Sequence, residues 1–153
     1  MDTRDISLIL SKDTYSRRVF KGVFPRNKLS DPGSRGPSAY VINTDPDHRP
    51  GEHWVGVWFN GKGGAEYFDS LGLPPLHQDI KKFINKNSFA YSRNRRPVQP
   101  LLSYTCGLYV IYFILMKSRG ATMGRVLAPF HPLRGRANDR YVYRFVRAYT
   151  SRI

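Results

Sequence analysis

Residues 107–116, Gly-Leu-Tyr-Val-Ile-Tyr-Phe-Ile-Leu-Met, carry no charged side chain and present no polar face. A segment of that kind has to be enclosed on every side, so the rest of the chain must be built around it. Its ten residues are about half of what a bilayer span needs, which places it in a protein core rather than a membrane. Extended to residues 105–117 it is longer than most strands and reads as a buried helix, although its Val, Ile and Tyr content would also suit a strand. A chain of 153 residues, 41% hydrophobic and 14% aromatic, supplies enough apolar surface to surround it as one domain over residues 1–153.

The surrounding elements read as a mixture. Residues 6–11 suit a short helix capped by Asp2 or Thr3, and residues 24–37 are a loop rich in turn formers. Residues 39–43 and 53–59 read as strands. Asn60-Gly61-Lys62-Gly63-Gly64 is a hairpin signal, with residues 65–69 as the returning strand. Leu76, Ile80, Phe83 and Ile84 recur at helical spacing, so residues 75–85 form an amphipathic helix with Lys81, Lys82 and Lys86 outside. Residues 89–91 suit an edge strand. The expected class is α+β, a mixed and mostly antiparallel sheet packed against the central buried helix.

The charge is lopsided, with 25 Lys+Arg against 11 Asp+Glu and a formal net charge of +14. An excess of that size points to a polyanionic partner or compartment. Nine of the cations fall in residues 117–153 against Asp139 alone. There, residues 136–150 read as a basic amphipathic helix, with Tyr141, Phe145 and Ala148 on one side and Arg140, Arg144 and Arg147 on the neighbouring face. Arg93, Arg95 and Arg96 form a second cluster. Interleaved aromatic residues suit sequence-independent contact with DNA, since no zinc-finger or helix-turn-helix spacing is present. The single cysteine excludes an intramolecular disulfide and a cysteine-rich zinc site. The first residues place acids before a short apolar run, unlike a signal peptide. The expectation is an intracellular, soluble protein, neither secreted nor membrane-bound, with no metal or covalent cofactor.

Cys106 stands at the head of the apolar run. Taken alone, a cysteine in that setting is commonly a small core hydrophobe. Its position at a helix start nevertheless favours a thiolate, and Gly107 after it would let a substrate approach the sulfur. A cysteine nucleophile needs a histidine. His48, His77 and His131 lie in turn, helix-start or proline-rich segments and read as solvent-exposed, whereas His53 opens an apolar strand. Asp69 ends the antiparallel partner of that strand, so hairpin geometry predicts an Asp69–His53 contact. Gln99, seven residues before Cys106 in a proline-flanked stretch, can offer its side-chain amide, with the Cys106 backbone N–H, to a developing oxyanion. Separately each residue has an ordinary structural reading; the order His, Asp, Gln, Cys is a sharper pattern.

That order and spacing resembles the adenovirus-type cysteine proteases (adenain-like) and their cellular relatives, the ubiquitin-like-protein proteases. The resemblance runs from about Phe20 to Met116. It is carried by Val41-Ile42-Asn43-Thr44, by residues 51–60 around His53-Trp54, by Tyr67-Phe68-Asp69-Ser70-Leu71-Gly72, and by Gln99 with Cys106-Gly107; Phe24-Pro25 is similar to a Phe-Pro of the adenoviral enzymes. It implies that His53 is general base and acid, Asp69 its orienter, Cys106 the nucleophile and Gln99 part of the oxyanion hole, with Trp54 shielding the imidazole. The chain departs from the pattern in three ways. Asp69 replaces the usual adenoviral Glu, Thr105 stands where the cellular enzymes carry Asp, and no second cysteine exists to tether an activating peptide.

The resemblance therefore implies a viral or virus-like cysteine endopeptidase that cleaves virion or core precursor proteins. It would work as a monomer in the virion and host nucleus, with DNA as a possible activator. The alternatives are an isopeptidase acting on ubiquitin-like modifiers, or a non-enzymatic basic DNA-packaging protein in which Cys106 is simply buried.

Overall fold

The computed structural model describes residues 1–33, 36–49 and 53–152. Helix α1 (Thr3–Lys12) begins in a reciprocal capping box: the Asp2 side chain accepts from the Asp5 N–H and the Asp5 side chain accepts from the Asp2 N–H. A short 3₁₀ turn at Ser16–Arg18 leads to strand β1 (Phe20–Pro25), followed by β2 (Ser38–Asn43), β3 (Trp54–Phe59) and β4 (Gly64–Phe68). Helix α2 (Gln78–Asn87), strand β5 (Ala90–Arg93) and helices α3 (Cys106–Ser118), α4 (Met123–Leu127) and α5 (Gly135–Thr150) complete the chain. The apolar run is thus a helix.

The strands lie in the order β1-β2-β3-β4-β5. The two inner pairings are antiparallel and the two outer ones parallel, so the sheet is evenly mixed where mostly antiparallel pairing was expected. The cause is connectivity. Helix α2 carries the chain across the sheet before β5, and the long link after β1 does the same before β2; each crossover delivers a parallel strand. β1 itself lies outside the expected strands, because Gly22 at φ +142° and the terminal Pro25 break the alternating pattern that marks a strand. Helix α2 starts three residues later than its periodicity predicts, beyond Pro74-Pro75, and the short α4 was not anticipated.

Alternation along the strands divides the core in two. Ala39, Val41, Trp58 and Phe68 face α3 and the helices around it, whereas Tyr40, Ile42, Val55, Val57, Phe59 and Tyr67 face α2 through Ile80, Phe83 and Ile84. This α+β arrangement buries α3 almost completely, from Cys106 to Leu115 apart from the half-buried Leu108. Contact with the sheet is close at Gly56, where a Cβ would lie 2.7 Å from Cδ1 of Phe113. A bare backbone at that point lets α3 settle onto β3, and Phe113 also stacks on Phe68 with ring centroids 4.8 Å apart. The last turn of α3 carries a buried charge, Lys117, which pairs with Glu66 at 2.5 Å and donates to the Ala121 carbonyl. Arg119 follows, bonded to Asp13 and packed between the rings of Tyr15 and Tyr149.

Candidate active site

The packing of α3 against β3 and β4 determines what meets at the head of the helix. Continuing the β3–β4 register by one pair puts Asp69 opposite Val55, two residues from His53. That diagonal is within side-chain reach, and His53 Nε2 lies 2.8 Å from Asp69 Oδ1. With Nε2 committed to Asp69, Nδ1 is the ring nitrogen left for Cys106, and each of the two side chains favours the charged form of the other. Cys106 is 6% exposed and the His53 side chain 16%. Both line a cleft of about 610 Å³ with Trp54, Asp69 and Gln99. His53, Asp69, Gln99 and Cys106 therefore line one cleft.

The acid is held from several sides. Asp69 Oδ1 also accepts from the Leu71 N–H at 2.8 Å, while Asn94 bonds both the N–H and the carbonyl of Asp69. Asn94 lies 25 residues away in sequence, and no local pattern marks it. Gln99 is equally constrained: Ser70 Oγ donates to its Oε1 at 2.6 Å, and its Nε2 donates to the Ser103 carbonyl at 2.7 Å. Ser70, adjacent to Asp69 in the sequence, thereby ties the acid's strand end to the glutamine.

Electrostatics follow from these contacts. Burial pulls the His53 pKa down, but the hydrogen bonds and charges of Asp69 and Cys106 outweigh it and raise it to about 9. Burial also favours the neutral thiol of Cys106. Hydrogen bonds from His53 and from the backbone N–H of Trp54, then the imidazolium charge and the Gly107 N–H, override it and hold the pKa below that of an ordinary thiol. The first N–H groups of α3 have no partner within the helix and point toward the sulfur's end of it. A thiolate–imidazolium pair of this kind can attack a carbonyl carbon and then protonate a leaving amine.

Several expectations need correcting. Gly107 packs against the N-terminal segment: a Cβ there would lie 3.4 Å from the Met1 sulfur, itself part of the cleft wall, and 3.5 Å from Ile6. His77 is not simply exposed but half-buried at the N-cap position of α2, where it lines the cleft. Arg93 is half-buried and donates to the Gly72 and Asn94 carbonyls, bracing the loop next to Asp69 rather than facing outward. Arg95 and Arg96 are exposed. On α5 the inward ridge is Asn138, Val142 and Val146, one residue round from the expected Tyr141–Phe145–Ala148 line, because Asn138 turns in to bond the Val98 and His131 carbonyls. Arg140, Arg144 and Arg147 remain exposed, as expected.

A five-stranded mixed sheet with the cysteine at the head of its central helix is the fold of Ulp1-like cysteine proteases. The C-terminal protease domain of Ulp1, solved in complex with Smt3, the yeast ortholog of SUMO, matches with a TM-score of 0.55 at 16% identity, over 98% of this chain and 77% of that one. The central domain of the Lpg1148 protein from Legionella pneumophila matches with a TM-score of 0.56 at 18% identity, over 99% and 98%. The ASFV pS273R protease matches with a TM-score of 0.52 at 17% identity over 70% of this chain, which spans less than half of that protein (43%). No protein-family model and no curated protein sequence matches the chain.

Proposed function

We propose that the chain is a cysteine peptidase acting on protein substrates, in which Cys106 attacks the scissile carbonyl and forms a thioester. The reading is carried by one observation: the His53 ring is bonded to Asp69 at 2.8 Å through Nε2, which leaves its other nitrogen for the Cys106 thiol at the mouth of a cleft. In this scheme His53 transfers the proton to the leaving amine, Asp69 fixes the imidazole, and Gln99 with the Cys106 N–H stabilises the oxyanion. The substrate is a precursor protein of a virus or virus-like element, and the enzyme works in the virion and host nucleus. Leu73, Leu76, Leu101 and Tyr104 make an exposed apolar rim on the cleft, suited to gripping an extended segment. The second reading, an isopeptidase for ubiquitin-like modifiers, is favoured by the match of nearly this whole chain to the Ulp1 protease domain solved in complex with a SUMO ortholog.

A panel of glycine-rich peptide junctions and ubiquitin- or SUMO-type fusions separates the two. Wild-type protein should cleave at least one class, and Cys106→Ser should abolish that cleavage. If Cys106→Ser cleaves as fast as wild type, the thiol mechanism is wrong.

The same proposal includes sequence-independent association with DNA. Lys117 and Arg119 are neutralised inside the protein, and Asp139 turns inward, so the outer face of α5 carries Arg136, Arg140, Arg144 and Arg147 without a carboxylate among them. Binding to random duplex DNA should fall with salt, with a log–log slope of about −3 to −4 if four phosphates are engaged. Affinity indifferent to salt would contradict this part of the proposal.

A further inference from the structure

The only acidic residue of α5 does not face solvent. Asp139 Oδ1 accepts from Thr105 Oγ1 at 2.9 Å and from the Tyr109 hydroxyl at 2.8 Å. Thr105 in turn is hydrogen-bonded to Ser103 Oγ, and the Ser103 carbonyl receives Gln99 Nε2. Since Asp139 takes the Thr105 proton, the Ser103 hydroxyl must donate to Thr105, so the chain of donors runs in one direction toward the carboxylate. Burial and then the Asp139 carboxylate keep the Tyr109 hydroxyl protonated, so it remains a donor throughout the working range. The neighbouring Asn138 reinforces the same loop by donating to the Val98 carbonyl at 2.9 Å.

Thr105 would otherwise be an ordinary helix cap. It precedes α3, yet its backbone at φ −99° and ψ 6° is not the extended conformation of a capping residue and its side chain caps nothing. Turned to Asp139, it leaves the open N-terminus of α3 to the sulfur and to whatever charge forms beside it. Residues 98–105, which carry Gln99 and deliver Cys106, are thus fastened from α5 at two adjacent positions.

We propose that Asp139 is a positioning residue for the oxyanion hole: it holds the 99–105 loop, through Thr105 and Ser103, so that Gln99 and the first N–H of α3 converge on one point. This rests on the peptidase reading above. It differs from a contribution to the thiolate, because no atom of Asp139 touches His53, Asp69 or the sulfur among the contacts described.

Two probes separate the roles. Iodoacetamide alkylation reads the thiolate and needs no oxyanion. The tripeptide aldehyde acetyl-leucyl-glycyl-glycinal reads both. The Cys106 sulfur adds to its carbonyl carbon, the C=O π bond breaks, and the electron pair on oxygen rests in the hole or takes the His53 proton, giving a thiohemiacetal. Asp139→Ala should weaken aldehyde binding at least tenfold while the alkylation rate stays within about twofold of wild type. Thr105→Val should reproduce that split, and the near-isosteric Asp139→Asn, expected to fold if the alanine variant does not, should show a smaller loss of the same kind. Unchanged aldehyde affinity in Asp139→Asn and Thr105→Val would overturn the inference, and so would a loss shared equally by both probes. Wild-type protein that neither alkylates at Cys106 nor traps the aldehyde would overturn the peptidase reading, and the inference with it.

Discussion

Replacing His53 with Ala is expected to slow iodoacetamide alkylation of Cys106 at pH 7 by about tenfold or more. The expectation follows from which terms survive the substitution. In the intact site, burial opposes the thiolate and is outweighed by His53, Trp54 and Gly107, with His53 supplying both a hydrogen bond and a charge. Without the ring, burial acts against two backbone N–H groups alone, and the thiol loses the main influences that hold its pKa below the ordinary range. The thiolate is the alkylating species, and each unit by which a thiol's pKa rises above the pH cuts its thiolate share about tenfold. The pH dependence carries the sign. Wild-type turnover should rise with pH through the lowered Cys106 pKa, as the sulfur loses its proton, and fall again near 9, where His53 loses the proton it must donate. The gap between the alkylation rates of wild type and His53→Ala should narrow as pH rises past 9, because His53 then loses the charge that favours the thiolate. Equal rates at pH 7, or reaction of wild-type Cys106 only after denaturation, would show that the cysteine is an inert core residue.

The part of this site that could be read from the sequence is the part built from neighbouring strands. A short glycine-rich turn forces β3 and β4 together, so the approach of His53 to Asp69 follows from counting along a hairpin. The all-round apolarity of residues 107–116 likewise places Cys106 at the edge of the core, since a helix with no polar face has only its ends near solvent. The contacts with no local signal depend on chain crossings. Asn94 reaches Asp69 because β5 returns parallel to β4, and Asp139 reaches Thr105 because α5 packs back over α3; neither residue differs locally from an ordinary surface Asn or Asp. The face of α5 was misplaced for a related reason. Tyr141 and Phe145 look like the natural apolar side, but Asn138 has carbonyl partners waiting in the core and Val142 and Val146 fit beneath it. The basic residues fall into two groups that look alike in the sequence, since Lys117, Arg119 and Arg93 serve as internal fasteners while Arg140, Arg144 and Arg147 face outward.

Gln99→Ala should lower kcat by about a hundredfold to a thousandfold on any substrate the wild-type protein cleaves, with KM little changed. The orientation of the amide decides this. A backbone carbonyl can only accept, so the Ser103 carbonyl at 2.7 Å must face Nε2, and the Ser70 hydroxyl then donates to Oε1. One N–H of the amide is spent on Ser103 and the other is left, in a side chain 6% exposed, on the wall of the cleft that holds Cys106. A donor fixed before the reaction begins costs no reorganisation when charge moves onto the carbonyl oxygen, and it interacts most strongly with the transition state. Its loss should therefore appear in kcat. Iodoacetamide, whose reaction develops no oxyanion, should alkylate Cys106 in Gln99→Ala at nearly the wild-type rate. Gln99→Glu should be at least as damaging despite its matching shape, because it sets a carboxylate oxygen against the Ser103 carbonyl and a negative charge where the oxyanion forms. Full turnover in Gln99→Ala would remove Gln99 from the mechanism and leave the hole to the backbone of α3 alone.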